Sequence, residues 1–131
     1  MYSVSTKVSS GFDETIERVT QALKGEGFGV LSDIDVAKTL NGKLGVDQAP
    51  YRILGACKPD LAHQAISAEP QIGALLPCNV VVRVDDEGDV QVLFMDPLTV
   101  LGLVDNPQVR ELAAQVRERL DRVLDAIKSS A

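Results

Sequence analysis

The sequence predicts an α+β fold in which an antiparallel-rich sheet has helices packed on one face. Three observations predict it: an alternating segment at the start, a hairpin in the second half, and a long apolar stripe at helical spacing near the end. The predicted order is strand, helix, strand, short helix, strand, short helix, hairpin and long helix. With 131 residues and no linker or repeat, we expect one domain over residues 1–131.

The first strand and helix are predicted by a change of period. Apolar and polar residues alternate over residues 2–9, which is typical of a half-buried strand. Ser10, three residues before Asp13, predicts a capping box, and the Gly25-Glu26-Gly27 segment predicts the helix end. The helical face between them is apolar at Phe12, Ile16, Val19 and Leu23.

The middle of the chain predicts two more strands, each followed by a short helix. Residues 28–34 form the second strand, close enough to the preceding helix to pack that helix against the first strand. Asp35 is expected to cap a short helix that stops at Gly45. Residues 51–57 form the third strand, and Pro59 suits the first position of the next helix.

A hairpin is the clearest strand signal. Residues 80–84 and 90–94 alternate on either side of the glycine-containing loop 85–89. The second face of this hairpin also carries apolar residues, so we expect part of it to be covered. These residues are Val81, Leu93 and Met95.

The last third of the chain holds an apolar run and a long helix. The run 97–104 is uncharged, and it is either a buried crossover beneath the long helix or part of a patch that a second copy covers. Asn106-Pro107 is a strong helix start. The stripe that follows contains Val109, Leu112, Ala113, Val116, Leu120, Val123, Leu124 and Ile127.

Charge and composition exclude several functions. Thirteen basic and nineteen acidic residues give a net charge of −6, which argues against binding to nucleic acid or to an anionic membrane surface. From Asp105 onward five basic and five acidic residues cancel, so the acidity belongs to the sheet and its loops. No segment has the apolar length of a membrane span. We therefore expect a soluble, cytoplasmic protein.

The two cysteines are the residues with the most chemical potential. Cys57 ends one predicted strand and Cys78 begins another. They could form a reversible disulfide or bind a soft metal, and Lys58 with a helix start at Pro59 would favour the Cys57 thiolate. The plainer interpretation is packing, because free cysteine often fills apolar space. Their spacing matches no zinc pattern, so no metal site is predicted.

Other polar residues offer weaker signals. His63, the one histidine, could pair with Cys57 as base and nucleophile, although a boundary position on its helix explains it equally. Asp33, Asp35 and Asp47 could orient Mg²⁺ or a cationic ligand, but capping and turn formation account for all three.

Three segments resemble the DUF302 family, a domain of unknown function. They are GFGVLSDID at residues 27–35, LGVD at 44–47 with PYRILGAC at 50–57, and IG at 72–73 with LLPCNVVV at 75–82. The resemblance implies a TT1751-like fold with a β-α-β(4)-α-like arrangement and a tendency to form dimers. It implies no established activity, substrate or catalytic residue. The retained motif positions collect at strand ends, where a pocket mouth would lie.

Two functions remain open. The first is a noncatalytic domain that binds a small-molecule ligand or a partner, as a homodimer, with a pocket between sheet and helices. The alternative is a thiol-dependent redox protein or enzyme that uses Cys57 and Cys78. No cofactor can be named from the sequence. The candidate pocket residues are Cys57, Cys78, Asn79, Asp96, His63 and Asp35.

Overall fold

The computed structural model describes residues 1–130. It contains five strands: β1 (Ser3–Val8), β2 (Gly29–Asp35), β3 (Tyr51–Cys57), β4 (Cys78–Val84) and β5 (Val90–Met95). The helices are α1 (Phe12–Gly25), α2 (Val36–Leu44), α3 (Pro59–Ala68), α4 (Pro97–Val100) and α5 (Pro107–Ser130). Two 3₁₀ segments follow α3 and α4, at Pro70–Leu75 and Leu101–Leu103. The predicted α+β class is confirmed.

The sheet is antiparallel throughout, with the order β1-β5-β4-β3-β2. Strands β2 to β5 form a meander, and β1 joins its far side by pairing with β5. Helix α1 therefore connects the two edges of the sheet, so the first and second strands are not neighbours. This topology places the β3–β4 junction, and with it both cysteines, inside the sheet rather than at an edge.

One core joins the sheet to the helices. The inward residues of the hairpin, Val80, Val82, Val92 and Phe94, are buried. They belong to the same apolar cluster as Val19 and Leu23 of α1. All eight residues of the predicted α5 stripe are buried in it as well, because the helical period is maintained over its whole length.

The helix starts were predicted with mixed success. Asp35 caps α2 by accepting a hydrogen bond from the Lys38 amide at 2.9 Å, and Gly45 ends this helix at φ 66°. The capping box at Ser10 is wrong, because Gly11 is the N-cap of α1 and no side chain caps it. The Ser10 hydroxyl lies 2.7 Å from the hydroxyl of the buried Thr15 instead.

The apolar run 97–104 is neither wholly buried nor wholly exposed. It forms α4 and a 3₁₀ turn, in which Pro97 and Leu101 are buried. Leu98 and Leu103 point outward and are exposed. A helical segment buries only one of its sides, so half of the run enters the core and half faces solvent.

The sheet face opposite the core carries a continuous apolar row. Ile34, Ile53, Val81 and Leu93 are direct cross-strand neighbours on β2, β3, β4 and β5. They remain exposed or half-buried and lie outside the apolar core.

In the part of the chain described, no helix combines the length and apolar character needed to cross a membrane.

Candidate functional site

A cavity of about 410 Å³ opens beside the β3–β4 junction, between the sheet and the helices. Helix α3 contributes one wall through Leu61, Ala62, Ala65 and Ile66, whose spacing puts them on one helical face. Leu101, Leu112 and Val116 close the side formed by the chain after the sheet. The cavity is within the size range of small-molecule sites, and its walls are predominantly apolar, as such sites usually are.

Both cysteines line this cavity. Cys78 begins β4 directly opposite Ala56 of β3, and Cys57 is the residue after Ala56. The two cysteines are therefore diagonal neighbours at the end of the sheet and not a directly opposed pair. Both thiols are free. Burial, with a smaller contribution from the nearby Cys57, raises the pKa of the Cys78 thiol to about 11. Cys78 is therefore a neutral thiol at physiological pH, which is a poor nucleophile.

Ser32 is one of the two other polar residues that line the cavity. It pairs with Gly55 across β2 and β3, and its hydroxyl occupies the space where a Gly55 side chain would project. Pro77 closes the same space from β4's side, at 3.0 Å from an ideal Cβ at Gly55. Glycine is needed here because a larger residue would displace Ser32 or Pro77.

Lys58 is the second polar residue of the lining. Its side chain is 13% exposed, and its ammonium donates hydrogen bonds to both Asp60 carboxylate oxygens at 2.7 and 2.9 Å. The aliphatic stem of Lys58 lies over Gly27, where a Cβ would be only 3.3 Å from Lys58 Cε, so the missing side chain leaves room for the stem. Gly27 also has a φ of 87°, which favours glycine. Asp60 responds to this ammonium with a lowered pKa.

A β-bulge shapes the mouth of the cavity. The β2–β3 register shifts between Val30 and Ser32, which leaves Leu31 as the extra residue. Leu31 is 70% exposed and Ile66 is 46% exposed, although both line the cavity. Two large apolar side chains therefore border an apolar opening, an arrangement that a bound molecule would cover.

The predicted His63 does not join the cysteines. It lies on the opposite side of α3, in a separate groove of about 500 Å³ that also contains Gln64, Glu111 and Gln115. The Cys57–His63 pair that the sequence allowed is thus not assembled, because the helix directs its apolar face to the thiols and its polar face to solvent.

Asn79 and Asp96 also lie outside the cavity lining. Asn79 is exposed on β4 opposite Gly55, one residue out of phase with Cys78. Asp96 caps α4 by accepting from the Leu98 amide at 3.0 Å, and it forms an ion pair with Arg117 at 3.0 Å. The expected rim therefore reduces to Cys57 and Cys78.

The acidic residues near β2 have structural partners. Asp33 accepts hydrogen bonds from the Arg52 guanidinium, which lowers the pKa of Asp33. Asp35 caps α2 and lines a different, open cavity of about 630 Å³ that also contains Arg52. Across the described residues, no three His, Cys, Asp or Glu side chains are grouped so that they could hold a metal ion.

Sequence reasoning missed Ser32, Leu31 and Gly55 and interpreted Lys58 differently. Lys58 was expected to favour the Cys57 thiolate, but its ammonium is hydrogen-bonded to Asp60. A signal was available at Gly55, two residues before Cys57, because glycine inside a strand often marks close approach by another group.

The fold and cavity define a class: a small α+β domain with an apolar cavity between sheet and helices. The DUF302 family model, described as a domain of unknown function, matches residues 4–127, and the chain belongs to this family. It is similar to an uncharacterized conserved DUF302 protein from Bacillus stearothermophilus at 35% identity, over 97% of this chain and 98% of that one, with a TM-score of 0.90. No curated protein matches the sequence.

Proposed function

We propose that this protein is a noncatalytic binding domain whose cavity takes a small, largely apolar molecule. The observation that carries the proposal is the apolar cavity of about 410 Å³ bordered by the exposed Leu31 and Ile66. Burial of apolar surface supplies the binding free energy, at about 25 cal/mol per Å² removed from water. The residues of the lining offer no activated nucleophile beside a base, because His63 belongs to another groove.

Methyl NMR with 1-octanol as the probe tests this proposal. We expect the methyl resonances of Leu61, Ile66 and Val116 to shift in a saturable way, since these residues line the cavity. The methyls of Ile53 and Val81 serve as the internal control, because they lie on the opposite sheet face. Shifts confined to Ile53 and Val81, or no saturable shift at millimolar octanol, would overturn the proposal.

The alternative is a thiol-dependent redox protein or enzyme that uses Cys57 and Cys78. One observation favours it: both free thiols line one cavity. The raised pKa of Cys78 argues against it, because the thiolate is the reacting species.

We also propose that the protein acts in the cytoplasm, since unpaired cysteines are typical of that reducing compartment.

Alkylation separates the binding and thiol functions. With iodoacetamide at neutral pH, we expect the half-buried Cys57 to be modified before Cys78, and Cys78 to react at an appreciable rate only after unfolding. Mild oxidation by diamide followed by mass analysis completes the test. A rapid, reversible loss of both thiols with gain of an internal disulfide would favour the redox function instead.

We further propose that the protein is a homodimer whose copies stack through the open sheet face. The apolar row Ile34, Ile53, Val81 and Leu93 supports this, because a twofold axis through its centre would set the same apolar residues of each copy against one another. The row lies outside the monomer's core, so dimerisation would remove it from water.

Light scattering tests the dimer. We expect the wild-type chain to have twice the monomer mass and Leu93→Arg to have the monomer mass, because a buried guanidinium without a partner opposes association. Gln115→Arg on the exposed side of α5 is the control and should leave the mass unchanged. Circular dichroism verifies that both variants are folded. A monomeric wild-type chain, or a dimeric Leu93→Arg chain, would contradict this interface.

A further inference from the structure

We propose that the ligand is an amphipathic anion, a carboxylate on an apolar chain, and that Lys58 recognises its head group. This inference rests on the proposed binding function and adds the charge of the ligand to it. Among the described residues that line the cavity, Lys58 is the only charged one, and no carboxylate lines it. The protein as a whole is acidic, with a net charge of −6, so a cavity whose sole charge is positive reverses the overall sign.

The position of Lys58 is fixed by the fold. Its side chain is 13% exposed and lies over Gly27, where a Cβ would come within 3.3 Å of Lys58 Cε. Asp60, which holds the ammonium, is 62% exposed. The lysine thus belongs to the cavity wall and its counter-ion belongs to the solvent side. Asp60 does not line the cavity, so a carboxylate arriving from the cavity meets the lysine with no other carboxylate in the wall.

Ser32 supplies a second polar group to the same lining. Its hydroxyl fits against Gly55, which has no side chain to obstruct it. That hydroxyl lies on the sheet face that Gly55 shares with Ile53, so recognition of the carboxylate is assigned to the Lys58 ammonium, and hydrogen bonds to a charged acceptor are the stronger kind. Both polar residues are thus packed on glycines, and the remainder of the wall is left to the apolar chain and the thiols.

Calorimetric titration with octanoate and 1-octanol tests the inference, because the two probes share a chain and differ in the head group. We expect the wild-type protein to bind octanoate about tenfold more tightly, and Lys58→Met to lose that preference while it still binds octanol. Lys58→Arg should retain the preference. Asp60→Asn should bind octanoate more tightly than wild type, because Asp60 competes for the ammonium.

Lys43→Met, at an exposed position near the end of α2, is the control for a general change of surface charge and should leave both affinities unchanged. Thermal unfolding verifies that each variant is folded. Equal binding of the two probes, or an unchanged octanoate preference in Lys58→Met, would overturn the anionic ligand and leave the proposed function intact. Absence of binding for both probes would overturn the two together.

Discussion

The Ser32 hydroxyl lies in the space that a side chain on Gly55 would occupy, so the two residues fit together across β2 and β3. The fit depends on the bulge at Leu31, which sets Ser32 opposite Gly55. One edge strand thereby places Ser32 beside Gly55 and Leu31 at the mouth of the cavity. The shape of the site is therefore coupled to the register of the sheet.

Gly55→Ala is expected to destabilise the protein by about 1–3 kcal/mol, the range for overpacking in a close-packed site. The new methyl would collide with the Ser32 hydroxyl and press on Pro77. Adding Ser32→Ala should recover part of the loss, because it removes the colliding oxygen. Urea unfolding of the wild type, both single variants and the double variant measures this coupling. Strictly additive free energies would show that the two residues do not compete for this space.

The burial of Cys78 predicts a loss of stability at alkaline pH. Its folded pKa of about 11 lies above the unfolded value of 9.0, so the folded state binds the thiol proton more tightly. The resulting stability is fully present below about pH 9 and is lost as pH rises to about 11. The free energy of unfolding should fall by roughly 2–3 kcal/mol for this group.

The free energy of unfolding is measured at about pH 8 and about pH 11, on either side of most of the titration, for wild type and Cys78→Ala. The difference between the two pH values is then compared between the two proteins. Cys57→Ala is the matched control and should keep most of the pH dependence, because burial is the largest cause of the shift at Cys78. If Cys78→Ala retained the wild-type dependence, the thiol would not be buried as described.

The buried hydroxyl of Thr15 is expected to stabilise the start of α1. It donates to the Gly11 carbonyl at 2.7 Å and lies 2.7 Å from the Ser10 hydroxyl. Thr15→Val keeps the shape and removes these bonds, so the free energy of unfolding should fall by about 1–2 kcal/mol. Ser10→Ala should cost less, since Thr15 then keeps its carbonyl partner. Thermal unfolding compares them, and a neutral Thr15→Val would exclude the proposed role of these bonds.

The Asp33–Arg52 pair predicts a modest stabilisation that acid removes. The guanidinium lowers the pKa of Asp33, so this stability is present above about pH 4, the ordinary range of aspartate, and is lost as pH falls further. Because Asp33 is partly exposed, the pair should contribute less than about 1 kcal/mol. Acid titration of Asp33→Asn against wild type measures it. An identical acid midpoint in the variant would contradict the linkage.

Much of the fold was predictable where the signal is local. The α5 stripe repeats over many turns, and Asp35 caps a helix that starts at the very next residue. The capping prediction for Ser10 was wrong because the Ser10 hydroxyl lies beside the hydroxyl of the buried Thr15. Local rules hold when no buried neighbour offers a better partner.

The site was predictable only in part. The thiols were found because both lie at strand ends, and the sheet joins those ends through the Ala56–Cys78 pair. Ser32 and Lys58 are 26 residues apart and line one cavity only because β2 pairs with β3 in a register that a bulge shifts. No periodicity signals that bulge, because β2 is exposed along nearly its whole length and carries no alternating apolar pattern whose phase an inserted residue would shift.

The central claim is that the cavity beside Cys57 and Cys78 binds a small apolar chain. Calorimetric titration of 1-octanol into Ala62→Phe tests it most directly, because a phenyl group at Ala62 would fill the cavity. Ser67→Phe, on the same helix but lining the polar groove, is the matched control. We predict that Ala62→Phe abolishes binding and Ser67→Phe preserves it. Equal octanol affinity in the two folded variants would contradict the claim.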